Sequence, residues 1–211
     1  MVLGVLFVLP LVTYLFFASG VNNFMKLPVL TQGVSEINNF KSLTGAPVRL
    51  NEHITILGFF GNEIEYKKGN AFNLNQKIYK RFYEFNDFQF VIVVPDNPEN
   101  EKKVRSLKAE LGSLTDAKNW KFIFGTPKQI ETLFASLNTN LSLDQNYSVP
   151  QVFIVDKEAN LRGRKGDELL YGFDARSVAE INNKMEDDVK VLLAEYRLAL
   201  KKNNKYQTRK K

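Results

Sequence analysis

Short apolar runs that alternate with amphipathic segments are the feature of this chain that most constrains its fold. The runs are rich in β-branched and aromatic residues, which favour buried strands. Four such runs occur, at 54–60, 88–94, 120–124 and 151–155. Helical crossovers fit between the first three runs, so these strands are predicted to be parallel neighbours. A turn at 156–160 leads to a short strand that begins at Leu161, which adds an antiparallel edge pair.

The segments between the runs carry helical signals. Apolar residues recur three and four positions apart in four stretches: Leu74, Ile78, Phe82 and Phe85; Val104, Leu107 and Leu111; Ile130, Leu133, Phe134 and Leu137; and Val178, Ile181, Met185, Val189, Leu192, Tyr196 and Leu200. Gly112 is expected to end the second helix, and Thr126 with Pro127 suits the start of the third. Ser177 and Glu180 have capping-box spacing. The polar segment 61–70 is interpreted as a loop. The order predicts an α/β domain with a central mixed sheet flanked by helices.

The N-terminal 25 residues contain no charged side chain. As a helix, residues 2–18 reach about 26 Å, close to the thickness of the hydrocarbon core of a bilayer. A retained transmembrane anchor over 1–20 is favoured. A cleaved signal segment is the main alternative, because Ala18, Ser19 and Gly20 resemble a small-residue cleavage site. The domain organisation follows: an anchor or signal segment at 1–20, a connector at 21–53, the folded domain at 54–200 and a basic tail at 201–211.

The net charge of +6 is confined to the tail. Residues 201–211 hold six of the 29 basic residues and no acidic one, so the rest of the chain is neutral. A basic face of the kind that nucleic-acid-binding proteins carry is therefore not supported, and no nucleic-acid partner is expected. The tail either forms a solvated helix end or binds an anionic membrane surface.

Missing residue types exclude several chemistries. The chain has no cysteine, which excludes disulfides, cysteine-based zinc sites, iron–sulfur clusters and cysteine nucleophiles. His53 is the single histidine, so a histidine cluster for a metal is excluded as well. Phosphate-binding glycine motifs are also absent. No cofactor and no metal are expected.

Two segments resemble the thioredoxin-like superfamily. The first is Val149-Pro150-Gln151-Val152-Phe153-Ile154-Val155-Asp156, followed by a turn and Gly163, which is similar to the segment where a cis-proline precedes a strand. The second is ILGFFGNEIEYKKGNAFNLNQKIYKRF, where such proteins place their redox motif. Phe60-Gly61 and the later Trp120 with Gly125-Thr126-Pro127 most resemble the membrane-anchored Sco/SenC proteins. These are thioredoxin-like copper chaperones of cytochrome oxidase assembly that are held by one N-terminal helix.

The resemblance implies a scaffold, a tether and a location, but the chain departs from the family at the site. Glu65 and Gly69 stand nearest the two family cysteines, and Ser148 stands near the metal-binding histidine. Copper(I) prefers thiolate and thioether ligands, and disulfide exchange needs a thiolate. The resemblance therefore implies a membrane-tethered domain on the periplasmic side of a bacterial inner membrane, without thiol activity: a pseudo-enzyme.

The residues around this degenerate site are the candidate functional residues: Glu63, Glu65, Tyr66, Gly69, Ser148 and Pro150. Glu63 and Glu65 could contact a hard cation or a basic partner. The alternative is a solvated charged loop, because the nearby Lys67 and Lys68 neutralise the two carboxylates. A cis-Pro150 would bend the backbone and expose strand-edge groups to a partner. His53 with Ser148 and an acid could in principle form a hydrolytic triad, without support from a nucleophile elbow.

The sequence leads to three hypotheses about function. The first is a non-catalytic, partner-binding domain that the resemblance links to respiratory oxidase assembly. The second is a cysteine-independent enzyme or small-molecule-binding domain that uses the cleft near Glu65 and Pro150. The third is a membrane-surface protein whose basic tail binds anionic lipid.

Overall fold

The structure is a computed structural model that describes residues 2–19, 26–166 and 169–208. Its strands are β1 Val29–Thr31, β2 Lys41–Ser42, β3 Ile54–Phe60, β4 Phe88–Pro95, β5 Trp120–Gly125, β6 Ser148–Val155, β7 Leu161–Arg162, β8 Arg164–Lys165, β9 Leu169–Leu170 and β10 Phe173–Asp174. Its α-helices are α1 Val2–Ser19, α2 Ile64–Leu74, α3 Lys80–Phe82, α4 Pro98–Leu114, α5 Pro127–Ser136, α6 Val178–Glu180 and α7 Glu186–Thr208. Five-residue π-helical turns, Asn75–Tyr79 and Ile181–Met185, connect α2 to α3 and α6 to α7.

A mixed sheet with strand order β1-β7-β6-β3-β4-β5-β2 forms the centre of the domain, and β10 also pairs with β6. The parallel pairing predicted for the first three long strands is confirmed, because β4 lies parallel to both β3 and β5. The predicted antiparallel pair of β6 and β7 is also present. However, β1 pairs with the outer side of β7, so β7 is not an edge strand.

Helices cover both faces of the sheet, and each face has its own apolar core. Alternate residues of β3 point to opposite cores: Ile54 and Ile56 to one, Leu57 and Phe59 to the other. The first core packs against α2, α4 and α7, and the second against α5 and the segment 34–50. All seven residues of β3 are buried, as expected for a strand that is covered on both faces.

The connector expected at 21–53 is in part a component of the folded domain. Residues 29–31 and 41–42 form strands that pair with β7 and β5. Leu27, Ile37 and Leu50 are buried against the sheet. The domain boundary at residue 54 was wrong for this reason: apolar residues scattered among turn residues contribute to the core although they show no strand periodicity.

The segment 61–70 was interpreted as a loop, and this interpretation was wrong. Helix α2 begins at Ile64 and runs through the segment. Its buried residues are Ile64, Lys67, Ala71 and Leu74, which are spaced three and four apart. A lysine occupies one of these four positions, so the apolar stripe is too weak in the sequence to indicate a helix.

Most helix boundaries follow the predicted signals. Thr126 and Gln129 form a complete capping box at the start of α5, with Pro127 in the first turn. Ser177 Oγ accepts a hydrogen bond from the backbone N–H of Glu180, but the Glu180 carboxylate accepts from Asp174 N instead of completing the box. Helix α4 continues past Gly112 and ends at Leu114.

The N-terminal and C-terminal segments are described in part, and both described parts are helical. Residues 2–19 form an 18-residue helix, and its described side chains, at 7–15, are exposed. Among the described residues, no helix combines the length and hydropathy required to cross a bilayer. Residues 201–208 continue helix α7. Gly20 of the candidate cleavage site and residues 209–211 of the tail lie outside the described residues.

Candidate functional site

The candidate site lies where β3 ends beside the beginning of β6. Phe60 at the end of β3 is paired with Ser148 at the start of β6. Gly61 then turns the chain towards α2 with a positive φ of +58°. A Cβ atom at this position would lie 2.1 Å from the carbonyl oxygen of Asn146, so the approach of the two backbones requires glycine. The turn is closed by Asn62 N, which donates to the same carbonyl at 3.0 Å.

The Glu63 carboxylate is held by the loop that precedes β6. Ser148 Oγ and Asn146 Nδ2 each donate to Glu63 at 3.2 Å. Asp144 organises the same loop, because one of its carboxylate oxygens accepts the backbone N–H groups of Asn146 and Ser148 at 2.8 and 2.9 Å. Ser148 is buried and its hydroxyl is engaged with Glu63. The structure therefore brings Glu63 and Ser148 together, as members of an internal polar network.

Lys67 is the residue at this site that the sequence did not single out. Only 7% of the residue is exposed, and its Nζ donates to the carbonyl oxygen of Val149 at 2.8 Å. Burial lowers the pKa of Lys67, and the negative charges of Glu63 and Asp144 partly oppose that shift. The helical spacing of Ile64, Lys67 and Ala71 was the available signal, since it places Lys67 on the buried side of α2.

The remaining predicted residues of α2 lie on its outer surface. Glu65 is exposed, and Tyr66 is 89% exposed. Gly69 has open space around it. Lys68 Nζ donates to Glu110 on α4 at 2.6 Å, so this lysine pairs away from Glu63. The structure therefore separates the six predicted residues: Glu63, Ser148 and Pro150 lie near Lys67, while Glu65, Tyr66 and Gly69 face outward.

The backbone around Pro150 is fully engaged within the domain. The peptide bond between Val149 and Pro150 is trans, as are the other described peptide bonds. The carbonyl of Pro150 accepts from Ala175 N at 3.0 Å, and the carbonyl of Val149 accepts from Lys67. Strand β10 also pairs with β6 at Gln151 and Val152. The expectation that a bent backbone exposes strand-edge groups here was wrong, because these carbonyls already have partners.

Neither a metal site nor a hydrolytic triad is assembled from the described residues. No group of three or more His, Cys, Asp or Glu side chains in this part of the chain could hold a metal ion. His53 precedes the first residue of β3, whereas Ser148 pairs with its last residue. Seven strand residues separate the two by about 20 Å. The ring nitrogen Nδ1 of His53 instead lies 3.0 Å from Asn51 O.

A separate cavity of about 430 Å³ lies between α5 and residues 138–147. Phe134, Asp144 and Tyr147 are among its lining residues. Its lining includes none of the six predicted site residues, so it does not correspond to the expected cleft near Glu65 and Pro150.

Comparison with protein-family models gives no match. No curated protein matches either. Solved structures do match. BsSco, a member of the Sco family of cytochrome c oxidase assembly proteins, shares 18% identity with a TM-score of 0.58, covering 79% of this chain and 95% of that one. A SCO1/SenC family lipoprotein from Bacillus anthracis str. Ames shares 14% identity with a TM-score of 0.57, covering 80% and 99%.

A third solved structure, of a protein outside the Sco family, is also similar. A putative protein disulfide isomerase from Bacteroides thetaiotaomicron shares 13% identity with a TM-score of 0.52, covering 80% of this chain and 94% of that one. At these identities the similarity establishes the fold. The domain has the thioredoxin-like fold shared with these structures, and the fold that the resemblance implied is confirmed.

The fold is present without the thiol chemistry. A disulfide switch has been identified in BsSco. A disulfide requires two thiols, and this chain has no cysteine. By resemblance, Glu65 and Gly69 stand nearest the positions of the two family cysteines. Glu65 is exposed, and there is open space around Gly69.

Proposed function

We propose that this chain is a membrane-tethered, non-catalytic thioredoxin-fold protein that binds a protein partner on the periplasmic side of a bacterial inner membrane, in the context of respiratory oxidase assembly. The observation that carries the proposal is the hydrogen bond from Lys67 to Val149. A reactive site needs groups that are free to contact a substrate, and here the ammonium and the Glu63 carboxylate satisfy polar groups of the domain itself.

The same observation disfavours an enzyme or a small-molecule-binding domain that uses this cleft. Lys67 occupies the space beside Val149, and Glu65 points to solvent instead of into a pocket. A ligand that bound near Pro150 would have to displace a buried side chain. A specific small-molecule ligand whose binding disappears in Glu65→Ala would contradict this reasoning.

Tyr66 is the residue best placed to contact a partner. Exposed tyrosines combine a large apolar surface with a polar tip and often dominate binding energies at protein interfaces. Tyr66 lies on the outer face of α2 beside the internal network of Glu63 and Lys67. We therefore place the centre of the docking face at Tyr66, with Glu65 and Gly69 around it.

Affinity capture of the intact protein from detergent-solubilised membranes tests the docking face. Tyr66→Ala should lose the captured partner without a change in unfolding midpoint, because Tyr66 contributes little to the core. Leu114→Ala is the matched control, since Leu114 is also an exposed large apolar residue, at the far end of α4. Equal recovery of the partner with both variants would exclude the proposed face.

The link to oxidase assembly has its own test. In cells that lack this protein, cytochrome oxidase activity should fall and should recover with the wild-type chain but not with Tyr66→Ala. Normal oxidase activity in the deletion strain would remove this link. Tight, stoichiometric copper binding by the purified full chain would contradict the non-metal part of the proposal.

The tether and its orientation rest on the uncharged sequence at 1–25. A reporter fused after Lys211 that is active only outside the cytoplasm supports the periplasmic location. Activity only in the cytoplasm would overturn it. Replacing Leu6 and Leu11 with lysine should release the protein from the membrane fraction, because central lysines oppose helix insertion.

A further inference from the structure

A polar cluster fixes the start of the folded domain against the C-terminal helix. Leu27 N donates to Glu195 Oε1 at 2.7 Å, and Leu27 O accepts from Arg162 Nε at 2.8 Å. Arg162 also pairs with Glu195 and Asp156, at 2.7 and 3.0 Å. We call Leu27, Asp156, Arg162 and Glu195 the clasp. The side chains of Arg162 and Asp156 are 7% and 1% exposed, so the clasp is a well-defined part of the domain.

The clasp determines where the chain leaves the domain towards α1. Seven residues lie between Ser19, the last residue of α1, and Leu27, and the eight Cα–Cα steps span at most about 29 Å. Along α7, Lys201 lies about 9 Å beyond Glu195 and Lys205 about 15 Å beyond it. The end of α7 is therefore within the distance that the chain can cover between the clasp and the proposed anchor.

The sequence that forms the end of α7 is basic. After Glu195 the sequence has seven basic residues and no acidic one. Arg197 is exposed, as are Leu198 and Ala199, so the helix leaves the domain surface at this point. Positions 197, 201 and 205 are four residues apart on a continuous helix, which places them along one side. We call Arg197, Lys201 and Lys205 the basic row.

We propose that the basic row binds the anionic surface of the membrane that holds α1, and so provides a second attachment that orients the domain. This inference rests on the proposed tether. The clasp limits the distance between the row and the anchor to the reach of the chain between Ser19 and Leu27, which raises the effective concentration of lipid headgroups around the row. Basic residues near a membrane domain are attracted to anionic lipids, and the attraction falls off within a Debye length. An anionic bilayer is therefore the partner that both position and charge favour.

The absence of cysteine allows a direct test on the full chain. An Asn204→Cys variant carries one thiol, which takes a fluorescent label beside Lys205. The labelled protein is reconstituted into phosphatidylcholine vesicles and into vesicles with 30% phosphatidylglycerol, each with a headgroup-bound quencher. We expect strong quenching in the anionic vesicles, little in the neutral ones, and reversal of the quenching in 0.5 M NaCl.

Charge variants test the row itself. In the Asn204→Cys background, Lys201→Gln with Lys205→Gln should weaken the contact by about fivefold for each lysine removed. Lys118→Gln with Lys121→Gln removes the same charge from another part of the domain, on either side of the start of β5, and should leave quenching unchanged. Quenching that is independent of lipid charge, or equally reduced by both pairs, would overturn the inference.

Flotation separates failure of this inference from failure of the tether. If the full chain does not float with neutral vesicles, the proposed anchor is wrong. If it floats with neutral and anionic vesicles but the label at position 204 reports no dependence on lipid charge, the tether stands and the second attachment is refuted.

Discussion

Lys67 shows how a charged side chain is accommodated inside this domain. Its aliphatic stem lies on the apolar side of α2, and its ammonium ends at the carbonyl of Val149. A buried ammonium loses hydration, which the hydrogen bond and the nearby carboxylates only partly replace. The residue therefore contributes packing and polar satisfaction at an electrostatic cost.

Replacing Lys67 by methionine should change how stability depends on pH. The folded-state pKa of Lys67 is lowered by burial, so between that lowered pKa and pH 10.5 the unfolded chain holds more protons on this residue than the folded chain. Stability of the wild type therefore rises with pH in that window, and Lys67→Met should lack this rise. Urea unfolding from pH 7 to 10, followed by fluorescence, measures the difference.

The control for this experiment is Lys68→Met. Lys68 pairs with Glu110, and the hydrogen bond raises the pKa of Lys68, so its titration lies above the range used. The profile of the Lys68 variant should therefore run parallel to that of the wild type. Parallel profiles for Lys67→Met as well would show that its ammonium is hydrated in the folded protein.

Replacing Gly61 or Gly69 with alanine should change the free energy of unfolding in opposite directions. Gly61→Ala introduces a side chain at φ +58° and 2.1 Å from Asn146 O, and should destabilise the domain by about 3 kcal/mol. Gly69→Ala lies inside α2 with open space around it and should stabilise the domain by about 0.5–1 kcal/mol. Chemical denaturation of both variants measures the changes. A neutral Gly61→Ala would mean that the backbone of the turn relaxes freely.

The positions of the individual residues of the candidate site were only partly predictable from the sequence. Glu63 and Ser148 were assigned to one region because the resemblance to Sco/SenC proteins implies that both lie near the family's site. The burial of Lys67 was not apparent, because a lysine in a charged segment is normally solvated. The exposure of Tyr66 depends on the helical phase of α2, which the polar composition of the segment concealed.

Among the secondary-structure elements, β7 and α7 depend on one buried ion-pair network. Arg162 connects Asp156 to Glu195 and to the backbone of Leu27. Without Arg162, the carboxylates of Asp156 and Glu195 lose their cationic partner, although both have little exposure to water. Arg162→Ala should therefore cost about 3–5 kcal/mol of unfolding free energy.

The matched control for Arg162 is an exposed pair of the same type. Arg176 is 65% exposed and pairs with Asp174, so Arg176→Ala should change stability by no more than about 1 kcal/mol. Thermal unfolding of the two variants under one set of conditions compares them. A loss for Arg162→Ala as small as that for Arg176→Ala would show that the network contributes little.

Helix α5 gives a smaller, local prediction. Thr126 caps the helix and forms the capping box with Gln129. Thr126→Ala should cost about 1 kcal/mol, because it leaves a backbone N–H at the helix start without its partner. Thr132→Ala is a suitable control, since its hydroxyl donates to the carbonyl of Lys128 within the helix and does not cap it. Equal losses would argue against the capping contribution.

At the scale of the whole molecule, one sheet separates two cores, and the two should unfold together. Leu107 belongs to the first core and Leu133 to the second. Each leucine-to-alanine change should cost about 2–5 kcal/mol. Trp120, the single tryptophan, is buried in the first core and stacks on Phe90 at 4.5 Å, so its fluorescence reports on that side.

Circular dichroism reports on the whole domain and completes this test. For both variants, the urea transitions observed by fluorescence and by circular dichroism should coincide, because the strands are shared by both cores. An earlier circular-dichroism transition in Leu133→Ala alone would show that the second core unfolds independently.

The overall order of elements was predictable because the long strands are continuously apolar and the long helices are periodic. Strands β1 and β2 were not predictable, because runs of three and two residues carry no period. Their positions depend on pairing with residues far along the chain. Long-range pairing of this kind has no local signal in the sequence.

The pairing of β1 with β7 also affects the time at which the domain can be completed during synthesis. Val29 is paired with Arg162, about 130 residues later, which at roughly 5–20 residues per second takes about 7 to 27 seconds to translate. During that interval the first sheet residues leave the ribosome without their partner strand. The sheet can therefore be completed only after Arg162 has been synthesised.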